Sequence, residues 1–191
     1  TKVESPAGDD TRAWGPLFID HPDGTRDAAY FHACNRGKTS VVIDFATSEG
    51  RDEVRRLAAG SDVLIENFKV GGLAKYGLDY AGLSALNPRL IYCSITGFGQ
   101  DGPYATRPGF DQIAQGMGGL MSITGAPGEG PMRVGIPVAD LTAGLFCAMG
   151  ILTALLEREV SGEGQWVQTS LLQAQVFMLD FQAARWLVEK D

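Results

Sequence analysis

Histidine and cysteine are both scarce. The chain holds two histidines, His21 and His32, and three cysteines, Cys34, Cys93 and Cys147. The histidines stand apart without metal-ligand spacing, so solvated or structural roles are expected for both. An odd set of scattered thiols with no CxxC pair excludes a zinc-finger pattern and a disulfide framework. Free thiols suit a reducing compartment, and a cytoplasmic location is expected. Basic residues are outnumbered, 16 Lys and Arg against 23 Asp and Glu, for a formal net charge of −7. Nucleic acid is therefore not an expected partner, since neutralising phosphates needs clustered cations. A local basic patch can still hold an anionic ligand. No apolar run reads as a membrane span. The richest, Leu141 to Leu156, is interrupted by small residues and ends at Glu157 and Arg158. GxSxG, HExxH, Walker A and Ser-His-Asp patterns are all missing. The chain opens at Thr1-Lys2-Val3-Glu4 without Met or signal peptide and stops inside a helical pattern, so both ends read as cuts in a longer protein.

What is present is a soluble globular composition, 45% hydrophobic and 20% charged over 191 residues. Thr1 to Pro22, rich in Pro, Gly, Asp and Thr, reads as loop. Ser40 to Asp44, Val63 to Glu66 and Leu90 to Ser94 are β-branched or apolar runs bounded by polar residues, and predict strands. Between them, Ser48 to Ala59 and Tyr80 to Ala85 carry helical spacing. Strands alternating with helices across short connections predict an α/β fold, a Rossmann-like parallel sheet flanked by helices. No GxGxxG follows the first strand, so dinucleotide binding fails its first test. Further on, Thr96 to Pro103 and Gly125 to Gly130 are glycine-rich loops, and Phe110 to Leu120 and Leu141 to Arg158 read as helices. Gln165 to Ser170 reads as a strand and Leu171 to Lys190 as a final helix, apolar on several faces.

Asp140 stands between an extended apolar stretch and the long helix. An Asp there can be an N-cap, its carboxylate accepting bonds from free helix N–H groups. It can also be a nucleophile, because an ionised carboxylate attacks an activated acyl group. The two roles are compatible. Backbone N–H groups of the preceding glycine loops could hold a phosphate or a developing oxyanion. Arg12, Arg36, Lys38, Lys75 and Arg107 are candidate anion contacts, each of them also readable as a solvated surface charge.

Several segments together resemble the class III CoA-transferases, a family with α-methylacyl-CoA racemase as a relative. They are Lys2-Val3-Glu4 with Gly8-Asp9-Asp10-Thr11-Arg12, Asn35-Arg36-Gly37-Lys38-Thr39-Ser40, and Asp62 to Phe68. Asn87-Pro88-Arg89-Leu90-Ile91 follows with Ser94 to Gly99, then Gly135-Ile136-Pro137-Val138-Ala139-Asp140 and Gly162-Glu163-Gly164-Gln165. The resemblance implies that Asp140 is the catalytic aspartate. It implies that Asn67, Phe68, Lys75, Lys38, Arg107 and Phe110 contact coenzyme A or line its channel. Lys75 departs from an Arg in the family, keeping the charge but losing the bidentate fork. Phe110 stands where the racemases carry a histidine base, which argues against racemisation.

The implied activity moves CoA from an acyl-CoA donor to a carboxylic acid acceptor through an aspartyl anhydride and an aspartyl-CoA thioester, without a metal. Alternatives are an acyl-CoA racemase or an inactive CoA-binding fragment. Residues 1–170 would be a partial large domain. Residues 171–191 would be a helix leading toward a small domain, in an interlocked homodimer with no membrane association. The first CoA-binding unit and a glycine-rich lid would lie outside these 191 residues, which alone would be inactive.

Overall fold

Residues Lys2–Glu4 form a strand, β1, where composition predicts loop. The computed structural model describes Thr1–Lys190, in two compact units, one of Thr1–Arg56 and one from Leu57 onward. In the first unit, β2 (Phe18–Asp20) and β3 (Arg26–Ala28) make an antiparallel hairpin, followed by helix α1 (Ala29–Asn35). Strand β4 (Ser40–Val42) then returns beside β1, in parallel. The expectation that Ser40 to Asp44 shares a sheet with the later strands is corrected here, because β1 and β4 form a sheet of their own. A short β-branched run does not specify its partner. Here the pairing is reinforced by Glu4, whose buried carboxylate accepts from Ser40 Oγ at 2.6 Å and from Arg12 Nε at 2.9 Å.

Helix α2 (Ser48–Ala59) spans the boundary between the units. The second unit is built on a three-stranded parallel sheet of β5 (Val63–Glu66), β6 (Ile91–Thr96) and β7 (Trp166–Ser170), in the order β5-β6-β7. The central β6 is sealed, with Ile91, Tyr92, Cys93 and Ser94 all buried. A strand paired on both edges and covered on both faces reads as a near-continuous apolar run. Helix α3 (Tyr80–Leu86) joins β5 to β6, capped by Asp79, whose side chain accepts from the Gly82 N–H. Helices α4 (Asp111–Met117) and α5 (Val138–Ser161) lie between β6 and β7.

Successive side chains of β6 face opposite sides. Cys93 meets Cys147 of α5, with 2.8 Å between the sulfurs. Tyr92 and Ser94 therefore face the other side, where Ser94 Oγ accepts from Trp166 Nε1 at 3.0 Å. On the α5 side a Cβ at Gly150 would lie 2.6 Å from Val167 of β7, so the helix rides directly on the sheet. The buried residues of α5 include Ala139, Ala143, Cys147 and Ala154, and its outer face exposes Leu141, Leu145, Met149, Leu152 and Leu156. By length and composition alone α5 could cross a membrane, contrary to the expectation drawn from its small residues and from Glu157 and Arg158. In this fold one side of the helix packs on the sheet instead.

The Gly162-Glu163-Gly164 turn after α5 has a steric basis. Gly162 takes a left-handed C-cap (φ 80°), and its N–H donates to the Arg158 carbonyl. A Cβ at Gly164 would lie 2.1 Å from the Leu90 carbonyl oxygen. The final segment is two helices rather than one, α6 (Leu171–Phe177) and α7 (Phe181–Glu189), broken where Asp180 adopts φ 46°. Leu171, Ala174 and Gln175 of α6 are buried, in contact with α4 and α5. Helix α7 buries none of its residues and exposes Phe181, Trp186, Leu187 and Val188.

Candidate active site

Arg158 fixes the direction of α5. Its guanidinium donates to the Arg89 carbonyl at 2.9 Å and to the Asp62 carboxylate at 2.8 Å, two residues just ahead of β6 and β5. The C-terminal end of α5 therefore sits at the amino edge of the sheet. Eighteen residues back, about 27 Å along the helix, Asp140 lies at the carboxyl edge. In open parallel sheets ligands bind at this edge.

Asp140 is not the helix cap. The helix begins at Val138, so Asp140 belongs to its first turn, and Pro137 at the cap position offers no side-chain acceptor. The missing acceptor comes from α4. Asp111 Oδ1 accepts from the backbone N–H of Ala139 at 2.8 Å and of Asp140 at 3.4 Å. Its other oxygen, Oδ2, accepts from Gln115 Nε2 at 2.6 Å. Gln115 Oε1 in turn accepts from the Val134 N–H at 2.8 Å, tying down the stretch before α5. With capping delegated to Asp111, the Asp140 carboxylate is exposed, and among the described residues no hydrogen bond or ion pair engages it. Its pKa is raised above the ordinary carboxylate value, first by partial desolvation and then by the Asp111 charge. The helix N-terminus acts in the other direction and is outweighed.

The neighbouring loops converge on the same edge. After β6, Gly97 abuts Gly109, and a Cβ on Gly97 would lie 2.4 Å from the Gly109 Cα. The Gly97 carbonyl also accepts from the Leu172 N–H of α6 at 3.1 Å. This contact brings Phe110 to the edge, 69% exposed just ahead of α4. Arg107 stacks its guanidinium 4.4 Å over the Tyr104 ring, which leans on Phe98. Asn67 and Phe68 leave the end of β5 exposed, and the Phe68 N–H donates to Glu66 Oε2 at 2.7 Å. Lys75 lies in the same connection, its ammonium 4.7 Å over Tyr76.

Asn67, Phe68, Arg107, Phe110 and Asp140 thus share the carboxyl edge of one sheet, and Lys75 follows from it. Lys38 belongs to the Thr1–Arg56 unit. There its Nζ donates to the Cys34 carbonyl at 2.7 Å, and it lines a basic pocket of about 330 Å³ with Lys2, Arg12 and Arg36. A second pocket, of about 150 Å³, lies on the sheet face away from α5, among Glu66, Lys69, Tyr80, Tyr92, Ser94 and Trp166. Burial raises the Glu66 pKa there, against the opposing hydrogen bonds of Ser94 and the Phe68 N–H. Asp140 lines neither pocket. Cavity size therefore does not single out Asp140.

Asp111 was not singled out as functional from sequence. Its signal is the i, i+4 pair with Gln115 on a helix whose other buried residue is Ala114. Two polar side chains buried one turn apart satisfy one another only in part, and their remaining donors and acceptors need further partners.

A family model described as CoA-transferase family III matches residues 1–191. The succinate–glutarate CoA-transferase of Agrobacterium fabrum is 55% identical over 189 residues, covering 98% of this chain and 47% of that protein. Mouse succinyl-CoA:glutarate CoA-transferase is 43% identical over 188 residues, 98% of this chain and 42% of its own. The crystal structure of a CAIB/BAIF family protein from Brucella suis matches with a TM-score of 0.96 and 55% identity, covering 100% of this chain and 50% of that one. The chain spans about half the length of the curated relatives it matches.

Proposed function

Because the chain belongs to CoA-transferase family III, we propose that the protein moves CoA from an acyl-CoA to a free carboxylic acid, with Asp140 as nucleophile. The observation that carries this reading is the Asp140 carboxylate itself, exposed and unpartnered among the described residues at the carboxyl edge of a parallel sheet. A carboxylate left free while a neighbour caps its helix is available to attack. Its raised pKa makes the ionised form the stronger nucleophile.

The Asp140 carboxylate attacks the thioester carbonyl, and collapse expels CoA thiolate to leave a mixed anhydride. The thiolate attacks the aspartyl carbonyl, giving an aspartyl-CoA thioester and releasing the donor acid. The acceptor carboxylate attacks that thioester, expelling CoA thiolate and forming the second anhydride. The thiolate then attacks the acceptor-derived carbonyl, which frees Asp140 and the new acyl-CoA. One thioester replaces another, so the barrier falls through positioning and oxyanion stabilisation. Asn67, Phe68, Lys75, Lys38, Arg107 and Phe110 are the proposed CoA contacts. Relatives named for succinate, glutarate, mesaconate and oxalate favour short dicarboxylic acids as the exchanged acids.

We extend the proposal to an interlocked homodimer in the cytoplasm. The apolar outer face of α5 and the aromatic face of α7 are surfaces that a dimer would cover. The test uses the full-length protein with succinyl-CoA and glutarate. Glutaryl-CoA should form, and the Asp140 peptide should carry the mass of CoA. Asp140→Ala should lose roughly a thousand-fold or more in turnover. Undiminished turnover in that variant, or CoA attached to another residue, refutes the assignment.

A further inference from the structure

The two histidines that the sequence keeps apart converge on one carboxylate oxygen. His21 follows β2, Asp27 lies in β3 and His32 in α1, all within the Thr1–Arg56 unit. His21 Nε2 is 3.3 Å from Asp27 Oδ2, and His32 Nε2 is 3.8 Å from the same atom. The imidazole centroids are 5.4 Å apart, and the three donor atoms all lie within 4.8 Å of one another. His32 Nε2 is shielded from solvent yet has no hydrogen-bond partner among the described residues. A buried imidazole nitrogen without a partner is costly unless something else occupies its lone pair.

We propose that His21, Asp27 and His32 form a binding site for a divalent transition-metal ion of the zinc, cobalt or nickel class. Metal–nitrogen and metal–oxygen bonds of about 2.0–2.2 Å place adjacent ligands roughly 3–3.5 Å apart. The observed spacings need only small side-chain movements to reach that range. Two imidazoles and one carboxylate suit borderline metals rather than calcium or magnesium, which favour oxygen alone.

Lys2, Arg12, Arg36 and Lys38 line the pocket beside His32, and two of these cations, Arg12 and Lys2, are matched by carboxylates. Arg12 Nη1 donates to both Asp27 oxygens at 3.0–3.1 Å, which orients the carboxylate while leaving Oδ2 a free lone pair. The Arg12 charge is itself matched by Glu4, at 2.8 Å. Lys2 is paired with Asp9. A bound ion would tie the β2–β3 hairpin to α1 and leave its remaining positions to solvent. His32 also lines the basic pocket that holds Lys38, and the test reads metal binding directly rather than transfer activity.

The test titrates chelator-treated protein with zinc and cobalt chloride by calorimetry, and records the cobalt electronic spectrum. The expected result is saturation at one ion per chain, with a visible spectrum of nitrogen and oxygen ligation and no thiolate charge-transfer band. His21→Ala and His32→Ala should each weaken binding by at least roughly ten-fold, since even loss of an outer partner costs 10–100-fold. Cys34→Ser removes the exposed thiol of α1 and should leave binding unchanged. Should one histidine variant fail to fold by circular dichroism, the other and the wild-type cobalt spectrum carry the same reading. No saturable binding by the wild type, wild-type affinity in both histidine variants, or loss of binding in Cys34→Ser overturns the proposal.

Discussion

The Asp111 carboxylate accepts the backbone N–H of Ala139 at 2.8 Å, so one helix supplies the N-cap of another. The arrangement joins α4 to the first turn of α5 and frees Asp140 from capping. Asp111→Ala removes a buried charged acceptor and leaves helix N–H groups unpaired. It should destabilise the protein by about 1–3 kcal/mol in urea denaturation. It should also lower the Asp140 pKa by removing the like charge, seen by carboxyl NMR titration. An unmoved Asp140 titration would mean that Asp111 contributes no field there.

Asp140→Asn separates chemistry from stability. The folded-state pKa of Asp140 is raised, so its ionisation opposes folding. That contribution favours the fold at pH below the unfolded carboxylate value and is lost as pH rises through the folded one. At neutral pH the neutral Asn should leave the melting temperature equal or slightly higher while transfer is lost. A clear fall in melting temperature would show a structural role for the carboxylate.

The acid limb of stability should trace to Glu4. Its hydrogen bond from Arg12 outweighs burial and, with Ser40, holds the pKa down at about 2 from an ordinary 4.5. A depressed pKa stabilises the fold above the unfolded value, and the gain is lost as pH falls from about 4.5 toward about 2. Glu4→Gln should be less stable than wild type at neutral pH and lose less stability across that interval. Parallel pH profiles of urea midpoints would contradict this.

Gly97 and Gly109 meet backbone to backbone, and a Cβ on either would lie 2.3–2.4 Å from the Cα of the other. Neither neighbour is a flexible side chain, so relief requires the loops to part. Gly109→Ala should cost about 1–3 kcal/mol and move Phe110, raising the KM for acyl-CoA more than it lowers kcat. A kcat loss with unchanged KM would argue against Phe110 as a CoA contact.

Thiol reactivity should divide cleanly. Cys34 is exposed, whereas Cys93 and Cys147 are buried against each other between β6 and α5. A disulfide-exchange reagent should modify Cys34 at once and the other two only on unfolding. Rapid modification of all three in native buffer would show that α5 opens from the sheet.

The alternation of helix and strand, the apolar run of β6 and the helical pattern after Asp140 were legible in the sequence because periodicity and turn residues are local signals. So was the family, through ordered short motifs whose glycines now have steric reasons, as at Gly162 and Gly164. Helix breaks and strand partners were less legible. Nothing local to Leu171 to Lys190 forecasts the turn at Asp180, and nothing local to Ser40 names β1 as its partner.

Sequence alone determined that Asp140 stands at the start of an apolar helix, because capping and periodicity act over a few residues. Tertiary structure decided what its carboxylate is free to do. Asp111 lies 29 positions away in the chain, yet it takes over the capping, and its charge helps raise the Asp140 pKa. His21 and His32 obey the same division, since only the closing of the β2–β3 hairpin against α1 brings both rings to Asp27. Hydrogen bonds and fields act through space over a few ångströms, and chain separation carries no record of which groups folding will bring within that range.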